Sequence, residues 1–139
     1  MAILNFTPSF DVLEIVAHST FSLVDFFVGQ TGKKQIIVHE RATLMYLPIL
    51  VESSVDLEII LDGIGAKVIC SGFWVSQNDS VKSKILVKFT ASKTTADVQL
   101  LWLPGIAECR LEGDLDIAES IEWVTSSLYQ HQLVRGAWT

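Results

Sequence analysis

Residues 55–75 read VDLEIILDGIGAKVICSGFWV. Two runs rich in β-branched and aromatic residues, Val55 to Leu61 and Lys67 to Val75, flank Gly63-Ile64-Gly65. Period-2 patterning of this kind marks β-strands, and the glycines between the runs supply the positive φ or close backbone approach that a tight corner needs. Outward from this pair the pattern repeats, with strands expected at Val12 to Ala17, Phe21 to Val28, Gln35 to His39, Thr43 to Leu47, Ser83 to Phe89, Asp97 to Leu103 and Ala107 to Ile117. Turn chemistry separates them at Gly29-Gln30-Thr31-Gly32, Gln77-Asn78-Asp79-Ser80 and Pro104-Gly105. Only Ala118 to Leu133 has residues that suit a helix, and Val124-Thr125 with the serines after them suit a strand equally well.

Turns spaced by about ten residues fit either a β-sandwich or a solenoid. A solenoid stacks coils around a continuous apolar column. That geometry suits a chain of 139 residues that is 50% apolar, with a mean hydropathy of +0.41. The length fits one domain, residues 1–139. Polar residues break every apolar run before the roughly 20 residues of a membrane-spanning helix, so none is expected. Met1 to Phe10 has no basic stretch and carries Asn5 and Pro8, unlike a signal peptide, and a cytoplasmic location is expected. Ten basic against sixteen acidic residues give a net charge of −6, which repels nucleic acid and anionic lipid. The apolar surplus exceeds what one small interior hides, so a homo-oligomer is expected.

The segment Val55 to Ile117 resembles the SufB/SufD family, components of the Suf machinery that assembles iron-sulfur clusters. The matching features run in order: Leu61-Asp62-Gly63-Ile64-Gly65-Ala66 and the strand Val68 to Val75; the polar break Gln77 to Ser80 before Ser83 to Phe89; Thr94-Thr95; and Leu100 to Leu103 leading to Arg110-Leu111-Glu112-Gly113-Asp114-Leu115-Asp116-Ile117. Upstream, Ile37-Val38-His39-Glu40 and Ala42-Thr43-Leu44 look like earlier rungs of the same element. The resemblance implies an all-β, right-handed parallel β-helix (solenoid) and a non-enzymatic scaffold or protein-interaction module. It also implies a SufC-like ATPase or other Suf components as partners, and iron-sulfur chemistry nearby. Three departures bear on this. Phe89, Ser92 and Ala96 stand where the family often has histidine, proline and serine. The end of the β-helix offers Tyr129, Gln130 and His131 where a cluster-holding cysteine is proposed. The chain ends at Thr139, and a member short of the C-terminal helical segment that engages SufC is therefore expected.

Cluster chemistry needs thiolates. The two cysteines are Cys70 and Cys109, and without a secretory signal both are expected reduced. Cys109, beside Glu108 and Glu112, is the better candidate ligand, although alternation puts it on one face with Ala107 and Leu111, toward the core. His131 lies near the family's cluster-holding position. A metal or cluster carrier using Cys109 and His131 across a dimer interface is thus one alternative. A β-sandwich that binds a small ligand is another. His18 and His39 show no ligand spacing, and Glu112, Asp114, Asp116 and Glu119 alternate like a solvated strand face. No nucleophile motif, phosphate loop or catalytic carboxylate pair is found, and Gly63-Ile64-Gly65 lacks the following helix of a dinucleotide site.

Overall fold

Side chains alternating in and out along each strand, with polar corners between strands, coil the chain into a parallel β-solenoid with two sheets facing each other across a filled interior. The computed structural model describes residues 2–6, 9–76, 82–103, 106–113, 118–125 and 130–138; for residues 2, 102–103, 106–109, 111, 118–125 and 130–138 it describes the backbone alone. One sheet holds β1 (Ala2–Asn5), β3 (Thr20–Val28), β5 (Thr43–Val51), β7 (Lys67–Val75) and β9 (Thr94–Leu103), hydrogen-bonded in that order. The other holds β2 (Leu13–Ile15), β4 (Thr31–Val38), β6 (Ser54–Leu61), β8 (Lys82–Phe89) and β10 (Ile106–Gly113). All these pairings are parallel, and the chain crosses to the other sheet after every strand. That connectivity excludes the β-sandwich alternative, whose neighbouring strands run antiparallel.

Thr20 pairs with Thr43, Thr43 with Lys67 and Lys67 with Thr95, so successive coils take 23, 24 and 28 residues. One corner repeats with the same spacing. His18, Arg41, Gly65 and Lys93 all adopt positive φ (60°, 52°, 76° and 58°). The amides of His18, Arg41 and Gly65 each donate to a carbonyl of the next coil, Glu40, Ile64 and Ser92 respectively. Gly63 lies so close to the Glu40 backbone that a Cβ there would overlap it, which is why the corner at Gly63-Ile64-Gly65 needs its first glycine as well as its left-handed second one.

Beyond β9 the parallel rule ends. β12 (Gln130–Trp138) pairs antiparallel with β9, and β11 (Ala118–Thr125) antiparallel with β12. The described parts of the ambiguous C-terminal stretch, residues 118–125 and 130–133, are therefore strand, and β11 and β12 extend the first sheet to seven strands. Two other elements depart from expectation. β5 continues through Pro48 to Val51, and its register with β7 skips Leu47 and Pro48, because proline has no amide to donate to the ladder. β1 is an additional strand at the N-terminal end.

The interior is a continuous column of aliphatic and aromatic side chains, including Phe27, Leu44, Leu57, Ile59, Ile85 and Phe89. Buried Trp74 lies over Gly72, where a Cβ would collide with its indole. At the buried second corner, Ser53 and Ser83 hydroxyls accept from the amides of Gln30 and Val55.

Candidate functional site

The two outer faces of the solenoid differ in chemistry, and that difference follows from the residues at the outward positions. On the five-stranded sheet the outward rows carry charge. Lys33, Asp56 and Lys84 stand in register on three successive strands, alternating in sign. Glu58 accepts from Gln35 at 3.0 Å and pairs with Lys33 at 3.1 Å and Lys88 at 3.3 Å. Burial pushes the Glu58 carboxyl up, but these three hydrogen bonds outweigh it and hold the group below its usual value. A shallow depression beside them is lined by Lys84, Leu86, Arg110 and Glu112.

The seven-stranded sheet presents the opposite. Phe26, Ile49, Phe73 and Leu101 form one in-register outward row, which Phe6 extends by stacking on Phe26 with ring centroids 5.2 Å apart. Leu4, Val24 and Leu47 form the next row. Phe6 is 69% exposed, Met45 46% and Leu47 37%. On β3, β5 and β7 the outward positions carry a single charged residue, Lys67, at the margin. β5 and β7 are therefore largely apolar on both faces, the signature of strands covered on both sides, yet the described residues cover only one side of them.

Inside the N-terminal coils lies a buried polar cluster. Asp25 on β3 is 0% exposed and Lys34 on β4 4% exposed. The Lys34 Nζ crosses the interior to donate to Asp25 Oδ2 at 2.7 Å; the Tyr46 hydroxyl donates to the same oxygen at 2.7 Å, and Asn5 Nδ2 to Oδ1 at 3.0 Å. Burial first, then the charge and hydrogen bond of Asp25, push the Tyr46 hydroxyl well above its ordinary value. These mutually satisfied groups join the two sheets. Their signal was present in the sequence as a lone carboxylate sharing strand parity with Leu23 and Phe27, and a lone lysine sharing parity with Ile36 and Val38.

The sequence-derived ligands fall on different sheets. Cys109 lies on β10, in register with the interior residue Ile85, and His131 on β12, between Leu101 of β9 and Val124 of β11. Their side chains lie outside the described residues, as do Asp114 and Asp116. Cys70 is buried in the core at 1% exposure, as expected of a packed side chain. His39 Nε2 meets Glu14 Oε1 at 3.1 Å, and His18 occupies a left-handed corner. Among the described residues no group of three or more His, Cys, Asp or Glu side chains is arranged to hold a metal ion. No described helix is long and apolar enough to cross a membrane. No family model, curated protein or solved structure matches the chain.

Proposed function

We propose that this chain is a SufB/SufD-like component related to iron-sulfur cluster assembly, acting in the cytoplasm as a non-enzymatic scaffold or protein-interaction module. Its right-handed coil and its family membership are part of this proposal. Support for the module comes from the outward apolar face of the seven-stranded sheet, set on a solenoid whose interior is packed with side chains. An exposed contiguous apolar face on a rigid sheet is a contact surface, and the absence of fixed charge from its centre matches the interior of an interface rather than its rim. Support for the Suf connection is the order of strand and glycine-corner elements from Val55 to Ile117, together with the parallel solenoid they build.

Anaerobic reconstitution with iron and sulfide tests this reading, with visible absorbance read on the wild type and Cys109→Ser. A colourless protein that binds a SufC-type ATPase from the same genome supports the scaffold. A stoichiometric cluster lost in Cys109→Ser replaces it with the carrier. A colourless protein indifferent to the ATPase removes the Suf connection and leaves the module.

A further inference from the structure

We infer that the occupant of the apolar face is a second copy of this chain, packed sheet on sheet through β3, β5 and β7 about a two-fold axis. The inference rests on the interaction-module reading and names its partner. Size is the first argument. Strands of nine residues are about 30 Å long and lie about 4.8 Å apart, so β3, β5 and β7 cover roughly 430 Å², the flanking β1 and β9 bring the face to roughly 650 Å², and a pair of copies buries roughly 1,300 Å². The paired figure is within the range of specific, stable interfaces, and the single face is at the top of the roughly 300–600 Å² that the largest patch of a monomer usually reaches.

Charge is the second argument. A two-fold interface sets a surface against itself, so every charge near the axis meets its own sign. The outer face of the five-stranded sheet fails that condition, with Lys33, Asp56 and Lys84 in its centre. The apolar face meets it, because Val24, Phe26, Leu47, Ile49 and Phe73 occupy its centre. Its charged residues fall at the edges, Lys67 at one corner beside Thr43 and Asp97 on β9 beside Gln99, while the polar residues farther in, Ser22 and Ser71, are small and neutral. This is the apolar core and polar rim of a protein interface. A lipid surface fits less well, since among the described residues the margin of the face on β3, β5 and β7 carries one cation, Lys67, and the chain carries a net charge of −6. Two such sheets pack about 10 Å apart with their strands about 30° from alignment, each row settling between rows of the other.

Sedimentation velocity of the full chain at about 10 µM tests the inference, on the wild type, Leu47→Glu and Met45→Glu. Both residues are partly exposed, so the introduced carboxylates stay hydrated in a separated chain, and far-UV circular dichroism checks that each variant folds. The wild type is expected at twice the 15.4 kDa chain mass and the variants at the single mass with unchanged spectra. The dimer dissociation constant is expected to weaken more than about 100-fold, because like charges are brought together in a desolvated centre. Folded variants that remain dimeric overturn the inference, as does a monomeric wild type. A monomeric wild type that enhances an apolar dye, with the enhancement lost in Leu47→Glu, overturns only the self-pairing and keeps the module with another partner. If such a monomer instead floats with phosphatidylcholine vesicles, the occupant is lipid and both readings fall. A monomer with no dye response also removes both.

Discussion

Replacing Asp25 by alanine should cost this protein most of its stability. The substitution leaves the Lys34 ammonium buried without its counter-ion, and it orphans the Tyr46 hydroxyl, which donates to the same oxygen. Breaking a buried pair from one side costs about 3 to 5 kcal/mol, and an unsatisfied buried hydroxyl adds about 1 kcal/mol or more. The expected loss is about 4 to 6 kcal/mol, against about 5 to 15 kcal/mol for a whole domain. With a urea slope of about 2 kcal/mol/M, the unfolding midpoint drops by about 2 M or more. Fluorescence of buried Trp74 reports the transition, read at one fixed protein concentration so that association does not contribute. Replacing both partners, Asp25→Leu with Lys34→Met, should restore most of the loss, because two apolar side chains leave no unpaired charge. A midpoint for Asp25→Ala within about 0.5 M of wild type would refute the buried ion pair as the tie between the sheets.

Other perturbations separate the remaining contributions. Tyr46→Phe should cost about 1.5 to 3 kcal/mol at neutral pH, the worth of a hydrogen bond to a charged acceptor. Because the folded-state hydroxyl titrates above its ordinary value of 10.0, its contribution is complete below pH 10.0 and lost at higher pH; calorimetry across that range should show a steeper decline in the wild type than in Tyr46→Phe. Glu58 has the opposite sign. Its depressed folded value means that its contribution is present above the ordinary 4.5 and lost as pH falls below it, so Glu58→Gln should flatten the acid limb of the melting-temperature profile. Gly63→Ala should destabilise by about 2 to 3 kcal/mol through overlap with the Glu40 backbone. Gly29→Ala, at φ 62° with open space around it, should cost only about 1 kcal/mol of backbone strain, a difference that thermal melts resolve.

Alternation made the individual strands legible: Lys67 to Val75 is β7 as read, and Val55 to Leu61 falls one residue short of β6. The boundaries failed where a residue's local habit and its coil disagreed. Pro48 reads as a strand end, yet the neighbouring coils hold β5 extended through it, with only a local gap in the ladder. Thr31 and Gly32 read as turn but begin β4. The coil repeat was hidden because its marker is a backbone conformation: His18, Arg41, Gly65 and Lys93 share a positive φ and only one of them is glycine. The choice between sandwich and solenoid depended on strand direction, which side-chain periodicity does not encode. The buried cluster was visible only as misplaced charges, since pairing Asp25 with Lys34 requires knowing that β3 and β4 face each other. The apolar face was foreshadowed by the hydrophobic surplus, but its position required the parity of β3, β5 and β7 and their order in the sheet.

Double electron-electron resonance between copies tests the sheet-on-sheet association most directly. A nitroxide is placed at the outward position Ser71 by Ser71→Cys, in a background carrying Cys70→Ala and Cys109→Ser. With the sheets about 10 Å apart, face-to-face packing requires an intermolecular distance within about 35 Å at about 50 µM protein, abolished when Leu47→Glu is added. A decay with no dipolar modulation at that concentration, from protein that still shows the β-sheet spectrum of the wild type, would contradict it.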